Sequence, residues 1–232
     1  AAVTADASGP PVTSVLIGMH HISVDAGAFD VFWDQVATAY AGRPLVEPTV
    51  SYAAHAEWQR REVHPMHTEF WAAERALADA LPNPGRIGLA SPVPAEPDGY
   101  FSKPLSVTAT QLRRGPGRTP FVASLAAASA TVARYAGDPR VEIGITASVK
   151  DHPAAASLVG YHLNTLPISV DASPEATFTE LCARIKDVVA DAVEHRTYPF
   201  ASIVRDARAA EVRPPDVSVM LAYERLAPAQ ID

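Results

Sequence analysis

The residues best suited to chemistry sit in one short run, Met19-His20-His21-Ile22-Ser23-Val24-Asp25-Ala26-Gly27. Histidine is the side chain whose ordinary pKa lets it exchange a proton near neutral pH. An aspartate four residues on can reach across a turn and fix the imidazole or the loop that carries it. The same residues also fit a histidine satisfied inside a core, with Asp25 acting as the N-cap of the next helix. Spacing alone permits both readings. A metal site is not expected: His20 and His21 would face opposite sides of a strand, and His55, His64 and His67 have no cysteine or nearby carboxylate framework. The sequence contains neither a phosphate-cradling glycine loop nor a Gly-x-Ser-x-Gly elbow. Cys182, the single cysteine, lies beside Leu181 and Ile185 in a helical pattern and reads as a packed core residue.

These residues need elements to position them. The largely apolar run 15–23, VLIGMHHIS, reads as a buried strand ending at the histidines. Phe29, Phe32, Trp33, Val36 and Tyr40 recur at helical spacing, with Gly42 and Pro44 as stop signals, so the motif spans a strand-to-helix turn. Helices are expected over 52–61 and 68–81. Five prolines between 82 and 97 then interrupt the chain and place a boundary there, dividing it into 1–94 and 95–232. Beyond it the pattern predicts a strand over 103–110 and a helix from Thr119-Pro120 to Tyr135. Strands follow over 141–149 and 163–170. A helix opened by the Thr177/Glu180 capping box runs to about His195, a short helix begins at Pro199, and a last strand spans 217–223. Strands mixed with helices make the class α/β.

The 232 residues are 48% hydrophobic and 19% charged, the composition of a globular chain. No apolar run approaches the roughly 18 residues of a membrane span, and the opening residues lack a secretory signal, so the expected location is cytoplasmic, with no membrane partner. The net charge of −7 and the scattered Lys and Arg argue against a nucleic-acid partner.

The motif MHHISVDAG resembles the His-His-x-x-x-Asp-Gly signature of nonribosomal peptide synthetase condensation domains, members of the chloramphenicol-acetyltransferase-like superfamily. Three further blocks follow in the family's order. YAAHAEW at 52–58 is similar to Tyr-x-Asp-(Phe/Tyr)-Ala-x-Trp, VGYHLNTL at 159–166 to Val-Gly-x-Phe-Val-Asn-Thr-Leu, and HRTYPF at 195–200 to His-Gln-Asp-x-Pro-Phe. The resemblance implies a two-lobe fold, here with a partial N-terminal lobe over 1–94 and an acetyltransferase-like lobe over 95–232 that lacks its final segment. Donor and acceptor would arrive as thioesters on the 4'-phosphopantetheine arms of two peptidyl carrier domains, with no cofactor bound directly, and other synthetase domains would be partners. The resemblance assigns His21 to the reaction centre, accepting a proton from the attacking amine or hydrogen-bonding the tetrahedral intermediate.

The remaining roles are likewise carried over by resemblance. His20 is expected to be a buried structural hydrogen-bonding residue. Asp25 takes the position that pairs with an arginine in the family, and that arginine's position holds Lys150, so an Asp25–Lys150 contact of looser geometry is expected. Ala26 occupies the motif glycine's position and could narrow the substrate channel, or the turn could shift to use Gly27 where φ must be positive. His162 and Asn164 fall in a block that lines or supports the tunnel. Tyr198, Pro199 and Phe200 are expected to fix a helix start. Segments that normally flank the motifs are not in the chain, which leaves the helix bearing Phe29, Trp33 and Val36 partly uncovered and favours self-association or a complementing chain. Two alternatives accompany this reading: a free-standing acyltransferase of the superfamily, and a noncatalytic domain that recruits another protein.

Overall fold

A computed structural model describes residues 2–4, 12–14, 16–80, 112, 115, 118–150 and 152–223. The expected strand over 103–110 and the expected boundary at 94/95 lie outside them. Two compact units emerge, one formed by 1–56 with 150–163, the other by 57–149 with 164–232.

In the first unit, β1 (Ala2–Thr4) and β2 (Val12–Ser14) pair antiparallel, Thr4 opposite Val12. The expected strand over 15–23 does not form. Residues 16–20 carry no regular structure and His21–Ser23 wind into one 3₁₀ turn. A strand needs a neighbour for its N–H and C=O groups; β1 and β2 supply each other and no described strand adjoins 16–20, so Leu16 is left 89% exposed. Helix α1 (Ala26–Tyr40) starts at Asp25 and ends before Gly42, whose φ of 69° suits glycine. Its apolar side is open, with Phe29, Trp33 and Val36 all exposed, as the sequence reading expected.

Helix α2 (Tyr52–Trp58) continues through a π-turn at Gln59–Val63 and a 3₁₀ turn at His64–His67 into α3 (Thr68–Ala80). The change of pitch coincides with Pro65, which has no N–H to give the ladder.

The second unit builds its core on strand and helix faces that were legible by period. Helix α4 (Pro120–Ala136) is capped by Thr119, whose Oγ1 accepts from Val122 N at 3.2 Å, and stopped by Gly137 at φ 68°. Strands β3 (Arg140–Ser148) and β4 (Leu163–Asp171) place Val141, Ile143, Ile145, Leu166, Ile168 and Val170 in the core. Helix α5 (Phe178–Glu194) opens with the full capping box, Thr177 and Glu180 satisfying each other's main-chain N–H; it packs on α4 and buries Leu181, Cys182 and Ile185. Helix α6 (Phe200–Ala209) starts after Pro199. The expected last strand shrinks to β5 (Met220–Leu221), parallel to β3 in the sheet order β4-β3-β5. Under this sheet Arg75 of α3 pairs with Glu142 of β3 at 2.6 Å, both almost fully buried. No helix among the described residues is long and apolar enough to cross a membrane.

Candidate active site

The 3₁₀ turn at His21–Ser23 is held from both ends. His20 Nδ1 accepts from Ile22 N at 3.1 Å, and the His20 carbonyl accepts from Ser23 N at 3.0 Å and Ser23 Oγ at 2.7 Å. His20 is thus a cap, and an exposed one; the expectation of a buried side chain is corrected because the turn, with no strand beside it among the described residues, lies at the surface. His21 is exposed as well. Its Nδ1 lies 2.8 Å from the Val24 carbonyl, which can only accept, so in the neutral ring Nδ1 carries the proton and Nε2 keeps its lone pair. The ring meets Tyr161 in a T-shaped contact, centroids 5.7 Å apart. A neutral imidazole fixed in this tautomer is an acceptor for a proton presented from solvent or substrate.

Asp25 is 3% exposed and uses both oxygens. Oδ1 accepts from Ala28 N at 2.8 Å, capping α1, and Oδ2 accepts from His162 N at 2.6 Å, 137 positions along the chain. The expected Asp25–Lys150 contact is therefore corrected: no ion pair joins these two described residues, and Asp25 binds the VGYHLNTL block through main chain instead. The two buried N–H groups satisfy the carboxylate where an ammonium would have had to shed its water. Lys150 acts on His162, whose pKa is held down first by burial and then by the Lys150 charge, with Asp25 pulling the other way.

His162 is 1% exposed and packs edge-to-face on Tyr52, at 5.2 Å, and on His55, at 5.6 Å. In the blocks as the family writes them, the positions of His55 and His162 carry aromatic rings. Tyr52 donates its hydroxyl to the Tyr161 carbonyl at 2.7 Å, and burial, then the Asp25 charge, push its phenol pKa up. Gly160 makes this packing possible, since a Cβ there would stand 2.5 Å from Tyr52 Cε2. The buried residues Asp25, His55, Gly160 and His162, with the part-exposed Tyr52 ring against them, thus carry the His21 turn. Tyr52, His55 and Gly160 were missed as site residues, although they lie inside the blocks already singled out.

Ala26 and Gly27 form the first turn of α1 on its exposed side. Gly27 has no positive φ and a Cβ there would meet Asp25 Oδ1 at 3.5 Å, an ordinary contact, so the proposed shift of the turn onto Gly27 does not occur. Regular helical geometry accepts any residue at either position. In the second unit, Asn164 donates Nδ2 to the carbonyls of Arg196 and Tyr198, both at 2.7 Å, and accepts at Oδ1 from Phe200 N at 3.0 Å. Its amide is fully engaged in clamping the HRTYPF turn onto β4. There, Tyr198, Pro199 and Phe200 set the start of α6. No cluster of three or more His, Cys, Asp or Glu able to hold a metal ion occurs among the described residues.

The family model for the Condensation domain matches residues 12–229. The chain belongs to the condensation-domain family. Tyrocidine synthase 2 of Brevibacillus parabrevis is 27% identical over 198 residues, covering 82% of this chain and 6% of that protein. Among solved structures, the first condensation domain of the calcium-dependent antibiotic synthetase, in complex with a substrate analogue, superposes with a TM-score of 0.63 at 13% identity, covering 91% of this chain and 51% of that one. The X-domain in its complex with OxyB from teicoplanin biosynthesis superposes with a TM-score of 0.55 at 21% identity over 80% of this chain and 45% of that one. The chain thus spans about half the length of these solved domains and a small fraction of the synthetase. The fold is the α/β fold of the family.

Proposed function

We propose that the chain is the condensation-domain part of a nonribosomal peptide synthetase that forms an amide bond between a carrier-bound donor acyl or peptidyl thioester and a carrier-bound acceptor aminoacyl thioester. The observation that carries this reading is the His21 tautomer: the Val24 carbonyl holds the proton on Nδ1, so Nε2 is presented as a base on an exposed turn. The acceptor amine attacks the donor thioester carbonyl, forming the C–N bond; Nε2 accepts or hydrogen-bonds the amine proton, and the C–S bond breaks as the proton passes to the departing thiolate. No acyl-enzyme is needed. The donor and acceptor are held on 4'-phosphopantetheine arms of peptidyl carrier domains, other synthetase domains are neighbours, and the setting is cytoplasmic.

The exposed Phe29, Trp33 and Val36 of α1 support self-association or a complementing chain. A second reading, a noncatalytic recruitment domain, draws on Ala26 in the motif glycine's position and on Asp25 lacking an ion pair with Lys150. One assay separates the two. Loaded donor and acceptor carrier domains are mixed with the chain or with His21→Ala, and dipeptidyl-carrier formation is followed by intact mass. Product lost in the variant supports condensation at His21. Absence of product with every donor, together with binding of a partner protein, supports recruitment.

A further inference from the structure

Beneath the His21 turn lies a titratable side chain that the proposed chemistry does not use. His162 is 1% exposed, and its Nε2 has no hydrogen-bond partner among the described residues. The groups that face it are Lys150, Asp25, His55 and Tyr52. Asp25 is the one group among them that favours a cation, and both its oxygens already accept main-chain N–H groups. The space beside Nε2 is closed by Gly160, where a Cβ would stand 3.2 Å from that nitrogen, and by the Tyr52 ring. An imidazolium at this place would have two N–H groups to satisfy and a buried charge beside Lys150.

His162 is also the point through which the turn is held. Its main-chain N–H is bonded to Asp25, and its neighbour Tyr161 makes a T-shaped ring contact with His21 and gives a carbonyl to Tyr52. We propose that His162 is a positioning residue for His21 that works only as the neutral imidazole, so that its protonation dismantles the His21 turn and makes the centre acid-sensitive through a group other than its base. Burial and Lys150 lower the His162 pKa below its ordinary value. The sign follows: the unfolded chain binds this proton more readily, so stability is full above about pH 6.5 and is lost as pH falls toward the folded-state value.

This inference rests on the reading of His21 as the reacting base, and its test has a readout that does not need turnover. The imidazole Cε1–H signals of the full chain are followed by NMR from pH 8 to pH 4, with His162→Phe to assign His162 and to remove its proton. The expected result is that His162 protonates below the ordinary histidine range and that the His21 signal changes in step with it, whereas in His162→Phe the His21 signal follows a single-proton curve. In the carrier assay the acid side of the rate profile falls about a hundredfold per pH unit when both protons matter and about tenfold per unit in His162→Phe. His162 titrating at or above its ordinary value, or a His21 signal indifferent to it, overturns the proposal. If no condensation product forms while the two signals move together, the base assignment of His21 fails and the positioning role of His162 stands. Should His162→Phe fail to fold, the coupling of the two signals in the unaltered chain still decides.

Discussion

Replacing Asp25 by alanine removes two buried hydrogen bonds at once, and their separate sizes can be worked from the structure. Oδ1 caps α1 through Ala28 N, an N-cap loss that costs about 1 kcal/mol. Oδ2 accepts from His162 N, and leaving that buried donor stranded costs about 1–3 kcal/mol. The total expected for Asp25→Ala is about 2–4 kcal/mol, because the two bonds serve different elements of the same unit. Asparagine keeps one acceptor oxygen and turns its NH₂ toward the other N–H, so Asp25→Asn should lose about half as much. Equilibrium urea unfolding reads both: with a slope near 2 kcal/mol per molar, the midpoint for the alanine variant moves down by about 1–2 M. Lys150→Met is the control. It should cost less than about 0.5 kcal/mol, as expected for a partly buried lysine without an ion pair among the described residues. A midpoint shift for Asp25→Ala no larger than that of Lys150→Met would refute the reasoning.

Gly160→Ala forces a methyl group to within 2.5 Å of the Tyr52 ring, which should destabilise the chain by about 1–3 kcal/mol, and Tyr52→Leu in the same chain should recover much of that in thermal unfolding. Asn164→Asp removes both amide donors while keeping the acceptor, leaving the Arg196 and Tyr198 carbonyls unserved; a loss of about 2–4 kcal/mol by urea unfolding is expected. Arg75→Met strands Glu142 in the core and should cost about 3–5 kcal/mol, whereas Arg75→Met with Glu142→Leu should cost markedly less, as measured by a double-mutant cycle. His64 has its pKa lowered by burial and then by His67, so its protonation opposes folding. The thermal midpoint should therefore drop as pH falls below about 6.5, and His64→Gln should flatten that drop.

Local physics carried much of this protein into view. The capping box at Thr177, the Thr119-Pro120 start, the Gly137 stop and the alternation of Val141, Ile143 and Ile145 each act within a few residues, so helices α4 and α5 and strands β3 and β4 stand where period and caps put them. The four blocks were equally plain as residue types in order, and they named the family. The strand expected over 15–23 failed because strand structure is a property of a pair: apolar, branched residues favour it, but only a neighbour can take up the backbone groups, and β1 and β2 pair with each other.

The site divides the same way. Asp25 as a helix N-cap was legible because Ala28 N is three residues away, whereas its second partner is 137 positions distant and is a main-chain N–H, which every residue but proline possesses. The family resemblance pointed to Lys150, and only the tertiary structure shows that burial favours two neutral donors over an ammonium. The His21 tautomer, the full use of the Asn164 amide and the closeness of Gly160 to Tyr52 are all distances between segments, and sequence carries no distances. The sequence alone determined which residues could do the chemistry; the tertiary structure decided which nitrogen of His21 holds the proton, because that depends on one carbonyl brought within 2.8 Å.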